Sequence, residues 1–452
     1  MHKTGNIRKP AQRVMALSLM LAAGGAVVAF SSTPALASES KQSNSPEFAK
    51  AAAPLQKVLG DVQPLLKKYA AAPEAGKPAA LDAVKTALVA ANAATLLANA
   101  EVGMKTPLDR FLAGSWGALI AQVTGDMTLY QHALQNKVDS GMGTPEERAQ
   151  SQVNLTKLAY ENKDNASVVK AGLPLLAANT SDDDIAELVA TAYDGLGQPD
   201  QAFAALDTAI NARKAAGGAV PQSWFLRANA IAYFDKLPAQ GNAWVLKMAA
   251  YNPSPENLLV AESLIRDYSA FDNPESLDGL RLAWRSGAMT TNTKVSREEY
   301  KMYLDSADAR RYPGEVLDVV NAGIANGALD ASSISVSEPR ATASKIVDAD
   351  RAGLASFAAD ALSPKATVKT VIAAADALLS YGQGAKAAEL YQIALTKPGT
   401  ADANVLLNHL GIAQVYAGDY AGAQVTLAKV DGKRKPLAQL WAIYAQSKAA
   451  GK

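Results

Sequence analysis

The stretch DIAELVATAYDGLGQPDQAFAALDTAI, residues 184–210, decides how the rest of the chain is read. Ile185, Leu188, Val189, Ala192, Tyr193 and Leu196 recur at steps of three and four, the spacing that gathers apolar side chains on one face of a helix. Gly197-Gln198-Pro199-Asp200 then interrupts the pattern, and Ala202, Phe203, Leu206, Ala209 and Ile210 restart it. The product is a helical hairpin. Further along the chain, the five-residue step from Gly197 to Ala202 returns as Gly382 to Ala387 and as Gly418 to Ala423. Val168 to Ala202 spans 34 residues, Ala387 to Ala423 spans 36, and the 185 residues between Ala202 and Ala387 would hold five units of 37. Spacings near 34 belong to two-helix repeats.

On these residues the chain resembles the tetratricopeptide repeat (TPR) family, most clearly in LLNHLGIAQVYAGDYAGAQVTL, residues 406–427. There Leu407, Leu410 and Gly411 match the first helix of the family pattern, and Gly418, Ala423 and Leu427 match its turn and second helix. Two other copies run over residues 184–210 and 368–395, the latter with Gly382, Ala387, Tyr391 and Ala394 in place. Both depart from the pattern, since Ala190 and Ala375 stand where the first-helix glycine belongs. Leu378 and Gln414 replace the usual aromatic of the last two copies. The resemblance implies an all-α fold, a right-handed superhelical solenoid of TPR-like hairpins in which small residues let paired helices approach closely. It also implies an inner groove lined by polar positions of the first helices, here Glu187 and Thr191 in one copy and Asn408 and Tyr416 in another, that holds a protein or peptide partner.

Such hairpins must stack to be stable. One buries about five large side chains at about 1.5 to 3 kcal/mol each. Ordering its residues costs about 1 to 2 kcal/mol apiece. Each unit should therefore contact its neighbours in line, and PLAQLWAIYAQSK, residues 436–448, reads as a terminal capping helix with Trp441 turned inward. Helix starts are expected where a small polar residue precedes proline: Ser45-Pro46, Thr106-Pro107, Thr144-Pro145, Ser254-Pro255, Asn273-Pro274 and Ser363-Pro364. Thr144 with Glu147, and Ser296 with Glu299, have capping-box spacing. Ile334-Ser-Val-Ser is short and polar and reads as loop, and 286–295 and 330–340 read as irregular loops. The organisation expected is a signal peptide at 1–37, a flexible lead-in at 38–45 and a region of about four helices at 46–141. TPR-like repeats at 142–330, an irregular helical connection at 331–364 and C-terminal repeats with the capping helix at 365–452 complete it.

Composition places the chain. It has 452 residues, 44 basic and 43 acidic side chains, three histidines and no cysteine. A net charge of +1 argues against an electrostatic nucleic-acid binder, and the absence of cysteine excludes disulfides, thiolate metal sites and thiol nucleophiles. Lys3, Arg8, Lys9 and Arg13 precede an apolar run over residues 14–30, and Thr33-Pro34-Ala35-Leu36-Ala37 offers small residues where a signal peptidase cuts. Cleavage after Ala37 removes all four cations and leaves a formal charge of −3. A periplasmic or secreted location in a Gram-negative bacterium is the expectation, without integral membrane insertion of the mature chain.

Motifs that would carry chemistry read as structure. His132 and His409 stand 277 positions apart, outside any spaced metal or nucleophile motif, and read as polar helix positions. Asp182-Asp183-Asp184 opens a helix, where acidic residues favour the positive end of the dipole, and lacks the ligand spacing of a calcium loop. Gly141-Met142-Gly143 is a helix stop, Lys433-Arg434-Lys435 a solvated turn, and Trp116, Trp224, Trp244, Trp284 and Trp441 packing residues. No catalytic residue, metal or cofactor is expected. The function expected is a non-enzymatic exported scaffold or adaptor for a protein or peptide partner in the cell envelope. The rival is an exported all-helical polysaccharide-degrading enzyme of α/α-toroid type, and a closed ring with buried ionisable groups around a histidine would favour it.

Overall fold

In the computed structural model, residues 43–290, 293–399 and 402–451 are described; the signal-peptide expectation and most of the lead-in lie outside them. The described residues form 21 α-helices and no strand, divided into two compact units that meet at Val220/Pro221. The division falls inside the stretch expected to be one run of repeats.

The first unit holds α1 (Pro46–Ala71), α2 (Lys77–Ala90), α3 (Ala93–Glu101), α4 (Pro107–Thr124), α5 (Met127–Ser140), α6 (Pro145–Glu161), α7 (Asn165–Ala177), α8 (Asp184–Gly195) and α9 (Pro199–Ala215). Five helices, rather than about four, precede Gly141. Ser45 is not part of a flexible lead-in: its N–H and hydroxyl donate to the buried Asp109 carboxylate at 3.1 and 2.8 Å, which ties the start of α1 to α4. Thr144 and Glu147 form the expected capping box, and Gly141 ends α5 in the left-handed region at φ 63°. From α6 to α9 each helix packs on its neighbour and on the next but one, the pattern of stacked hairpins.

The second unit holds α10 (Gln222–Phe234), α11 (Pro238–Tyr251), α12 (Pro255–Ser269), α13 (Asn273–Arg285), α14 (Lys294–Ser306), α15 (Pro313–Ala325), α16 (Ile334–Leu362), α17 (Val368–Ser380), α18 (Gly384–Thr396), α19 (Ala403–Ala417), α20 (Tyr420–Leu427) and α21 (Lys435–Ala449). The hairpins are built as the TPR resemblance implies. Gly197, Gly382 and Gly418 all turn at φ near +70 to +81°, and Ala202, Ala387 and Ala423 are fully buried against the preceding helix. Close approach requires Gly411, where a Cβ would lie 2.4 Å from Leu427 Cδ2. The same left-handed turn occurs at Gly125 and, without glycine, at Lys163, Lys236 and Ala270, three copies that a search for glycine does not find.

Several boundaries differ from expectation. Asp272, not Asn273, caps α13. Ser363 ends α16 rather than opening a helix, and Thr367 opens α17 by accepting the N–H of Thr370. Ser296 lies inside α14, whose capping box is Thr293 with Ser296, leaving Glu299 free to turn inward. Residues 334–337 are the first turn of a 29-residue helix, and α14 already begins at Lys294. In α16, Val336, Ala343, Leu354 and Ala361 are buried at steps of seven and eleven, a stripe longer than a window of a few residues reveals. The six helices α10 to α15, this long helix and α17 occupy the interval from Ala202 to Ala387 expected to hold five 37-residue units.

The larger difference is closure. A solenoid unit touches only its neighbours, whereas α21 packs on α19 and α20 and also on α11, α12 and α13. One apolar core runs from Val245, Leu258 and Ile265 to Leu440, Trp441 and Tyr444. The C-terminal helix keeps a polar outer side at Lys435, Gln439, Gln446 and Lys448, while its apolar residues also pack on a second partner surface earlier in the chain.

Candidate functional site: a charged cleft in the second unit

Three apolar stretches carry isolated charges: SLDGLRLAW at 276–284, VIAAADALL at 371–379 and VLLNHLGIA at 405–413. A charge on a buried helix face must be paired, since burial without a partner is costly. The fold brings the three stretches together. Asp278 on α13 is wholly buried, and its Oδ2 accepts from Asn408 Nδ2 at 3.0 Å, His409 Nε2 at 3.2 Å and Arg434 Nη1 at 2.6 Å. Its backbone carbonyl accepts from Trp441 Nε1 at 3.0 Å. These partners lie 130 to 163 positions away in sequence, so one aspartate joins α13 to α19 and α21.

Arg281, one turn on, makes a two-pronged contact with Glu315 of α15, 2.8 Å to each carboxylate oxygen, and Tyr303 donates to the same Glu315 at 2.5 Å. Asp376 of α17 accepts from Tyr391 at 2.5 Å and from Arg311. His409 spans the two acids, with Nδ1 3.6 Å from Asp376 Oδ1, and meets the Tyr391 ring edge-on at 5.6 Å. Burial alone would strip the imidazole of its proton. The carboxylates of Asp278 and Asp376 outweigh that and raise His409 to about 9. In turn, burial works against the Asp376 charge, but His409, Tyr391 and Arg311 hold its carboxyl down at about 2. A second buried cluster joins α12 to α14: Arg266 binds Glu262 at 2.9 and 3.0 Å and Glu299 at 2.8 and 2.9 Å. Burial pushes Glu262 up to about 8, against the pull of Arg266.

A cleft of about 800 Å³ opens beside the first cluster, between α13, the loop before α15, and α16, α17 and α19. That volume is in the range of ligand pockets. Arg281, Arg310, Arg311, Arg434 and His409 line it against Asp278, Asp305, Asp308, Glu338 and Asp376, five positive groups against five negative. Leu277, Leu304, Ile372 and Val405 supply its apolar surface. Arg310 and Arg311 are exposed at the mouth, as are Asp305 and Glu338. Among the described residues no group of three or more His, Asp and Glu side chains is placed to hold a metal ion.

The residues proposed from sequence fall in both units. Glu187 and Thr191 lie half-buried on α8 in the first, where the Thr191 hydroxyl donates back to the Glu187 carbonyl at 2.7 Å. Asn408 and Tyr416 lie on α19 in the second and point inward: Asn408 is fully buried on Asp278, and Tyr416 stacks beneath the Arg285 guanidinium at 4.6 Å, its hydroxyl pKa raised by burial. Two readings change. His409, read as a plain polar helix position, is the centre of a charged cluster, and Arg434 is 8% exposed and bound to Asp278 rather than solvated in a turn. His132 does sit half-exposed on its helix, 3.0 Å from Glu101. Sequence reading missed Asp278, Arg281, Glu315 and Asp376; the available signal was a lone charge inside an apolar run.

No protein-family model matches this chain, and no curated protein does. Among solved structures, it is similar to the TPR2AB-domain:pHSP90 complex of yeast Sti1 at 15% identity and TM-score 0.24, over 67% of this chain and 99% of that one. It is similar also to Naa15/Naa10 bound to HypK-THB (15%, TM-score 0.29, over 89% of this chain and 73% of that one) and to the TPR domain of P58(IPK) (12%, TM-score 0.19, over 82% and 98%). Likeness at this level says nothing about function, and the reading below rests on the chain's own residues.

Proposed function

We propose that the chain is an exported, non-enzymatic binding protein of the cell envelope that holds a peptide segment of a protein partner in the cleft of its second unit. The observation that carries this reading is a ligand-sized cleft whose ionisable groups already neutralise one another. His409 and the carboxylates of Asp278 and Asp376 are committed to one another as ion pairs, and with the apolar wall they form a fixed set of hydrogen-bonding groups, which suits binding. The leader at 1–37 supports export, and the −3 charge without it supports a partner other than nucleic acid.

One observation favours the rival enzyme: α21 closes the second unit on itself around a buried histidine. The two readings part in one experiment. A photoreactive phenylalanine at position 342, on the α16 wall of the cleft, is introduced into the chain expressed in a Gram-negative cell, and crosslinks are resolved by mass spectrometry. The binding reading expects a discrete protein adduct that disappears when Arg310 and Arg311 are both replaced by Glu, and a processed N-terminus at Ser38. Recovery of glycan alone, or release of reducing ends from polysaccharide by the purified chain, would replace it with the enzyme.

A further inference from the structure

Arg266 grips two carboxylates at once, Glu262 one turn back on α12 and Glu299 on α14, and all three residues are buried. One guanidinium balances one carboxylate, so with both acids ionised the cluster holds a surplus negative charge away from water, which is costly. Its surroundings do not relieve it. Besides Arg266, the charges acting on Glu262 are Glu299 and Asp267, both negative. From α13 comes Gly279, so close that a Cβ there would lie 2.4 Å from Glu262 Oε1. The helices α11 and α21 meet α12 through the apolar core, and the 288–290 turn meets it with Ala288 and Met289. One proton held by the two acids removes the surplus and leaves the Arg266 bridge in place.

The bridge stands at the root of the cleft. Four residues after Tyr300, α14 reaches Leu304, where the wall formed by residues 304–312 begins. We infer that the Glu262–Arg266–Glu299 joint is a proton-dependent latch on the cleft: with one proton held by its two acids it fastens α14 to α12, and loss of that proton frees α14 and the 304–312 wall. The latch acts on the cleft whatever occupies it, and so stands apart from the peptide reading above. The direction follows from linkage. Once α14 lifts, both carboxylates reach water and ionise in the ordinary carboxylate range, so the open form binds fewer protons and is favoured as pH rises. The window lies between the ordinary 4.5 and the value of about 8 to which burial pushes Glu262.

The test is amide hydrogen exchange of the purified chain, read by mass spectrometry between pH 6 and 8 with the intrinsic rates divided out. Peptides covering 294–312 should lose protection about tenfold from pH 6 to pH 7, the slope of one released proton. Glu262→Gln removes the surplus charge and keeps an oxygen for Arg266; it should flatten that slope and raise protection at pH 8. Glu299→Gln removes the same charge from the other helix and should flatten it too. His409, whose ion pairs run to α13 and α17, gives those helices a pH dependence of their own that should persist in both variants. Protection of 294–312 that is independent of pH in the wild type, that falls only in step with α17 and α19, or that keeps its slope in both variants would each overturn the latch. If one variant does not fold, the other and the wild-type slope decide.

Discussion

His409 should make the second unit lose stability as the pH rises through neutrality. Its ring lies between Asp278 of α13 and Asp376 of α17, with Tyr391 of α18 in a T-shaped contact and Arg434 and Arg311 on the same carboxylates. In the folded chain its pKa is raised to about 9 from an ordinary 6.5. Because the folded value is the higher one, the unfolded chain gives up its proton first. The stabilisation is therefore fully present below pH 6.5 and is lost as pH rises to about 9. At 1.36 kcal/mol per unit the loss is about 3 kcal/mol. The depressed Asp376 carboxyl is the same attraction viewed from its other end and adds nothing to this figure. The assay is urea unfolding followed by tryptophan fluorescence between pH 6 and 10, wild type against His409→Gln. Subtraction removes Glu262, which burial raises to about 8 and which also costs stability between pH 4.5 and 8. Tyr391 stays protonated through the window because burial and Asp376 push it far up. The difference between wild type and variant should shrink by about 3 kcal/mol from pH 6.5 to 9. A difference that stays flat across that interval would refute the claim that the imidazolium is held by its two carboxylates.

Asp278→Ala should cost about 3 to 5 kcal/mol, because it leaves Arg434 and His409 buried without their shared carboxylate. Amide hydrogen exchange should locate the loss in α19 and α21, while α6 to α9 keep their protection. Gly411→Ala should destabilise by about 1 to 3 kcal/mol, since the new methyl meets Leu427 at 2.4 Å; Leu427→Ala in the same chain should reduce the penalty of adding it, measured by a double-mutant cycle. Lys236→Gly, at φ 56°, should stabilise by about 1 kcal/mol in thermal unfolding, whereas Gly197→Ala, at φ 70°, should destabilise by a similar amount. Equal effects at these two turns would mean that backbone strain is not what glycine relieves there.

The helices and their pairing are local matters, and residues 184–210 and 406–427 display them openly: apolar steps of three and four, a left-handed glycine, and an alanine where the second helix must come close. Where the same turn uses Lys163, Lys236 or Ala270 the sign is lost, because the backbone geometry is imposed by packing on both sides rather than by a residue that prefers it. The α16 helix was illegible for a related reason, its first turn being polar and its buried stripe spread over 29 residues.

What the amino-acid order determined by itself was therefore the all-α hairpin construction, the inward Trp441, and the lack of cysteine chemistry, since each depends on side chains within a few positions or on composition alone. Tertiary structure decided that α21 turns back onto α11 to α13, that Asp278 meets residues more than 130 positions away, and that His409 carries a charge in a cleft. The physical reason is that a lone aspartate in an apolar helix declares only that it needs a partner. Which cation answers depends on where the chain closes, and closure sums many weak apolar contacts, none of which is marked in its own stretch of sequence.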